Sequence, residues 1–237
     1  MDKKLHSAMK DFDFLSKTNN KKFKYLPSWQ YSKAYWFKKE YKGSNKKRFV
    51  KLKRGSIVFI NFGVNVGSEI SGHHFAVVIN KNDTIFKPVI TVVPLTSKCK
   101  DFYIALENTV IKNATEHLKM QLNEIYKRME IPKNYIELSS NKSCEKFLIS
   151  HFLVGFLEFI NVYAIIMENV KEINLLEKVI QMYTKYKKNT YADVNNIQTI
   201  SKLKIQSINK YDPSGKIKVS NDNLNDIDKA IIERFTL

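Results

Sequence analysis

The order in which the hydrophobic period changes along the chain limits its fold more than any single residue does. Short apolar, β-branched runs occupy Ser56–Phe62, Phe75–Ile79, Pro88–Val93 and Phe102–Leu106, each bounded by Gly, Asn, Asp, Lys or Pro, and these predict strands. Between about Thr109 and Lys188 the period becomes helical. Val110, Ala114, Leu118, Leu122, Ile125 and Met129 recur every three or four residues, on one face of a helix that Pro132 ends. A second helix is predicted from about Ser143 to Asn169, apolar nearly all round and so central to a bundle, and a third carries Ile173, Leu176, Val179, Ile180 and Tyr183. Strand signal returns in Val194–Ser201 and, after an Asp212-Pro-Ser-Gly215 turn, in Lys216–Val219; Ser220 then caps a last amphipathic helix through Leu224, Ile227 and Ile231. Strands, helices and strands again predict an α+β chain in which a helical block interrupts a β domain. The expected boundaries are a basic aromatic extension over 1–50, β domain over 51–108, helical insertion over 109–191, and the rest of the β domain with its C-terminal helix over 192–237.

Charge divides the chain differently. It has 237 residues with 40 Lys+Arg against 23 Asp+Glu, a net +17, and residues 1–54 alone contribute +13 from 17 basic and 4 acidic side chains. The same segment interleaves Phe23, Tyr25, Trp29, Tyr31, Tyr35, Trp36, Phe37, Tyr41 and Phe49 with its cations, the mixture that neutralises phosphates and stacks on unpaired bases. A short helix from about Ser28 to Lys42 that packs some of these rings on the body accounts for the same pattern without RNA, and leaves the positive field in place. The helical block, with 12 basic and 9 acidic residues over 109–191, suits packing or partner contact instead.

A hydrophobic content of 43% supports one sizeable core or two modest ones and excludes a disordered tail. Cys99 and Cys144 cannot build a disulfide framework, and Met1-Asp-Lys-Lys opens without the apolar core of a secretory signal, so a reduced, cytoplasmic protein is expected. Phe147–Met167 is long enough to cross a bilayer but carries His151, Glu158 and Asn161, which predicts a buried helix and no membrane partner.

For chemistry the familiar motifs are missing. The histidines have no HExxH spacing, and there is no GxxxxGK[ST], GxGxxG or GxSxG, so neither a metal nor a cofactor is expected. What remains is the stretch Gly63–Gly72, long for a hairpin and of the kind that forms a mobile, function-carrying loop, followed directly by His73-His74 at the start of a strand. Strand alternation sends these two histidines to opposite faces, so at most one enters a given site. A histidine titrating near neutrality suits proton transfer at a ribose 2′-hydroxyl or a leaving 5′-oxygen, and Thr96 and Ser97, at the end of a strand, can hydrogen-bond a phosphate.

Arg54-Gly-Ser-Ile-Val58, then Val66-Gly-Ser-Glu69, then Gly72-His-His-Phe-Ala-Val-Val78, then Val93-Pro-Leu-Thr-Ser97 resemble the opening strands of the MazF/PemK toxins. In that family the order is RG-D/S-I-V, a GSE loop, a G-x-R-P-A-V-V strand and a V-P-[IL]-T-S strand. Asn196–Ile205 is similar to a later family strand and Leu224–Phe235 to its C-terminal helix. The resemblance implies an SH3-like small β-barrel of the MazF/PemK/CcdB type, usually a homodimer, that cuts single-stranded RNA without metal and is restrained by a cognate antitoxin. Carried over residue by residue, Gly67, Ser68 and Glu69 line the RNA groove with His73, Ser97 and Lys98 beside it, Thr96 takes the place of the catalytic threonine, and His74 falls where the family keeps its catalytic arginine. A histidine cannot reproduce the bidentate guanidinium clamp, and Phe75 replaces the usual proline. The expectation is therefore an endoribonuclease with His74 and Thr96 as catalytic residues; a catalytically inactive RNA-binding regulator and a CcdB-like inhibitor of a protein target such as gyrase are the alternatives.

Overall fold

A computed structural model describes residues 2–43, 48–106, 109–129, 167–184 and 189–236. The predicted helix end at Pro132, Cys144, His151 and nearly all of the expected helix Ser143–Asn169 lie outside these residues. Asp2 caps α1 (Lys3–Ser16), its Oδ1 accepting from the amides of Lys4 and Leu5 at 2.8 and 3.2 Å. A 3-10 turn at Phe23–Tyr25 leads into α2 (Leu26–Tyr41), where Pro27 sits in the first turn and needs no amide partner.

Seven strands follow in one antiparallel sheet: β1 Ile57–Gly63, β2 Gly72–Val78, β3 Val89–Thr96, β4 Ile104–Ala105, β5 Tyr191–Ala192, β6 Gln198–Ser201 and β7 Ile205–Gln206. Their order is β4-β5-β3-β2-β1-β7, with β6 also paired to β3. The fold is thus mixed, an antiparallel sheet with helices. The predicted second run Lys216–Val219 contributes only a bridge from Lys218 to Ser56, and Val194–Asn196 is a 3-10 turn rather than strand.

Alternation decides which side chains fill the core. Val58, Ile60 and Phe62 of β1, Ala76 and Val78 of β2, Ile90 and Val92 of β3 and Ile200 of β6 bury one face together with Leu52. Ile57 and Phe59, on the other face of β1, are buried too, so this strand reads as a nearly continuous apolar run. Beyond the sheet, Ser220 Oγ accepts from Asn223 N at 3.2 Å and starts the last helix, Asn221–Phe235, whose Asp228 pairs with Arg54. Arg54 also donates to the carbonyl of Ile79, tying that helix to the end of β2.

Two compact units result. One comprises Met1–Asn113, Lys187–Ser207 and Ser214–Leu237, and the other Ala114–Tyr186 with Ile208–Pro213. In the second, the predicted stripe of α3 (Thr109–Met129) buries Leu118 and Ile125, and α4, helical over 167–184, buries Leu176, Val179 and Tyr183. Tyr183 Oη donates to Asp212 Oδ1 at 2.8 Å, and Glu172 receives both Arg128, at 2.6 Å, and Lys210.

Candidate active site

The stretch between β1 and β2 is braced at its base and open at its tip. Asn65 donates its side-chain amide to the carbonyl of Ile70 at 2.7 Å, its backbone amide donates to Ser71 Oγ at 3.0 Å, and Ile70 N donates to Asn196 Oδ1 at 3.3 Å. Gly67 sits at φ +60, a left-handed turn that favours glycine, and Gly67, Ser68 and Glu69 are exposed. A stretch with Asn65 and Ser71 at its base therefore braces itself and presents residues 66–69 to solvent.

His74 joins this loop to the end of β3. It faces the core side of the sheet, its ring 6.3 Å from Phe62, with Nε2 3.1 Å from the carbonyl oxygen of Ser71 and Nδ1 3.1 Å from that of Leu95. Both partners are acceptors. A neutral imidazole donates to only one of them and turns a lone pair toward the other, whereas the imidazolium donates to both. Burial nevertheless pulls the His74 pKa below the ordinary histidine value; the two carbonyls act in the opposite direction, and the Lys98 ammonium adds to the lowering. Burial prevails, so the free site holds a neutral ring whose neighbours are arranged for a charged one.

Thr96 follows Leu95 directly and is fixed by pairing with Tyr191 of β5; its Oγ1 accepts from Lys98 N at 3.2 Å. Ser97 and Lys98 are exposed. Strand register thus brings His74, Thr96, Ser97 and Lys98 to one end of the sheet beside the 67–71 loop.

His73 goes elsewhere. As alternation requires, it projects from the opposite face, stacked on Phe59 with ring centroids 5.8 Å apart and edge-on to Tyr25 at 6.5 Å. Burial, then the neighbouring His74, lowers its pKa as well. On this face the N-terminal segment docks: Lys22 Nζ donates to the carbonyl of Gly67 at 2.9 Å, and Trp29 lies against Gly63. Sequence reasoning did not place Lys22 or Tyr25 at the loop, because a contact across 45 residues leaves no local pattern. It missed the Ser71 and Leu95 carbonyls for a different reason: every residue carries one, and only register selects these two. Among the described residues no group of three His, Cys, Asp or Glu side chains is placed to hold a metal ion.

Residues 53–126, from the segment before β1 into α3, match the family profile of the PemK-like, MazF-like toxins of type II toxin–antitoxin systems. That stretch, about a third of the chain, is similar to the MazF/PemK toxin domain. The match takes in the Gly67–Glu69 loop, both histidines and the Thr96–Lys98 strand end, whereas Asn196–Ile205 and Leu224–Phe235 lie beyond it. No curated protein matches the chain. Among the described residues no helix of this PemK-like protein is long and apolar enough to cross a membrane.

Proposed function

We propose that this protein is the toxin of a toxin–antitoxin pair and cleaves single-stranded RNA without a metal ion. The observation that carries the proposal is His74, which ties the exposed Gly67–Glu69 loop to the strand end bearing Thr96 through two backbone carbonyls. In the reaction the ribose 2′-oxygen attacks the adjacent phosphorus in line as the bond to the 5′-oxygen breaks, giving a 2′,3′-cyclic phosphate and a 5′-hydroxyl. His74 Nε2, released from Ser71 as substrate enters, takes the 2′-hydroxyl proton and returns it to the leaving oxygen. Thr96 Oγ1 donates to a non-bridging phosphate oxygen, and Lys98 offsets the developing charge. The phosphate itself raises the affinity of His74 for a proton, against the effect of Lys98, and so favours the imidazolium that the two carbonyls accommodate. Glu69, Ser68 and Gly67 contact bases on this scheme, with Ser97 beside the phosphate. His73, on the other face, acts through the packing of the N-terminal segment.

An SH3-like barrel is the architecture we infer for the β domain. Its support is that β6 pairs with β3 while β7, separated from β6 only by the 3-10 turn Lys202–Lys204, pairs with β1, so the two short strands bridge opposite margins of the β1-β2-β3 meander. We further propose the division into extension 1–50, β domain 51–108 and 192–237, and helical insertion 109–191, a homodimer, a cognate antitoxin as partner, and a cytoplasmic location.

A second reading has its own support. Both ring nitrogens of His74 already face backbone oxygens, which is the arrangement of a positioning residue in an RNA-binding protein that does not cut. Incubating the purified protein with a long unstructured RNA in EDTA, beside His74→Ala and Thr96→Ala, separates the two. Discrete cuts ending in cyclic phosphate, lost in both variants while binding persists, are expected. Intact RNA with salt-sensitive binding establishes the second reading, and RNA neither bound nor cut overturns both.

A further inference from the structure

Two lysines sit over aromatic rings of α2. Lys204, at the end of the 3-10 turn before β7, places its Nζ 5.4 Å from the ring centroid of Trp29, and Lys33, one helical turn beyond Trp29, places its own 5.7 Å from that of Phe37. Trp29 is itself held, wedged over Gly63 and edge-on to Trp36 at 5.7 Å. Burial, then repulsion from the charge of Lys33, pulls the Lys204 pKa down. Among the described residues neither forms an ion pair. An anion seated between them relieves that repulsion.

The rings continue from there. Lys33, Phe37 and Tyr41 follow at spacings of four, one stripe along α2, and Phe37 and Tyr41 are 58% and 91% exposed. In the other direction Trp29, Tyr25 and Lys22 lead back along the same side to His73 and the Gly67 carbonyl. We propose that Lys33 and Lys204, with Phe37 and Tyr41 beyond them, form a second contact for single-stranded RNA, outside the loop and Thr96: the ammoniums take a backbone phosphate and the rings stack on neighbouring bases. The proposal rests on the RNA reading given above. RNA is the occupant that presents a phosphate and a π-face in alternation, matching cations and rings that share one stripe. A helix lying on a membrane separates its apolar and basic faces, which α2 does not.

The test measures binding apart from cleavage. A fluorescein-labelled 2′-O-methyl oligouridylate has no 2′-hydroxyl to attack, and its anisotropy is titrated with the full chain over a range of KCl. Lys33→Gln is expected to lower the slope of log affinity against log salt by about one, and with Lys204→Gln by about two. Phe37→Ala and Tyr41→Ala each weaken binding about tenfold, Phe37→Tyr and Tyr41→Phe retain it, and Tyr31→Ala, off that stripe, leaves it unchanged. Phe37, Tyr41 and Lys33 are exposed, so these variants fold even where Lys204→Gln does not. Unaltered affinity and slope in Lys33→Gln and Phe37→Ala overturn the proposal, as does binding to phosphatidylserine vesicles in place of RNA. If ribose RNA is cut but these variants bind as wild type, only the second contact falls; if nothing is cut but they lose binding, the second contact stands and the nuclease falls.

Discussion

Lys202 is nearly shielded from water, yet its ammonium reaches four acceptors: both oxygens of Asp83 at 2.7 Å, Val50 O at 3.2 Å and Thr84 O at 3.1 Å. Burial alone pushes the Asp83 carboxyl up, but the Leu52 amide, the Lys202 hydrogen bonds and charge, and the Thr84 amide outweigh it and hold the pKa below the ordinary carboxylate range. Removing one partner leaves the other charge buried, so Asp83→Ala is expected to cost about 3–5 kcal/mol in urea unfolding, whereas the double variant Asp83→Leu/Lys202→Met recovers most of it. His74 gives a prediction of opposite chemistry and the same sign. Its pKa is lowered on folding, so the unfolded chain binds more protons below the ordinary value of about 6.5, and the stability present above that value is lost as pH falls through the lowered one. His74→Gln is expected to make the acid side of a stability–pH curve shallower; an unchanged curve contradicts the burial of a neutral ring.

At the scale of elements, α2 is held by a fit that one methyl group breaks. Gly63 adopts φ +86, and a Cβ there meets the Trp29 ring at 2.3 Å, so Gly63→Ala is expected to cost about 1–3 kcal/mol from backbone strain and to expose residues 2–43 to limited proteolysis. The strands β1, β2 and β3, helix α3 and the last helix were legible in the sequence because each is long enough for its period to repeat. The α1 helix was not anticipated, although Asp2 caps it and Leu5, Met9 and Phe12 recur at helical spacing; in the fold these three stay largely exposed. β4 falls within the predicted run Phe102–Leu106, whereas the two-residue strands β5 and β7 carry no period at all; their pairing is imposed by neighbours already in place. The candidate site divides the same way. Its residue types and the opposite faces of His73 and His74 follow from motif and alternation, while the two carbonyls that hold His74, and the lysine from the N-terminal segment on the loop, follow only from register.

For the whole molecule, the first unit is assembled from three separated stretches, and its sheet draws on two of them. Thr96 pairs with Tyr191, and β1 and β3 acquire their outer partners β7 and β6 from residues 198–206. A chain that stops at residue 188 is therefore expected to lack the cooperative unfolding transition of the first unit and to cut no RNA, a result checked by thermal denaturation and the same cleavage assay. The remaining consequence concerns time. During synthesis, at about 5–20 residues per second, the loop and Thr96 leave the ribosome several seconds before Tyr191 does. The nascent chain thus carries every side chain of its proposed chemistry without the strand that holds Thr96 in place. If the proposed cleavage holds, the message being translated is spared until nearly all of the product has been made.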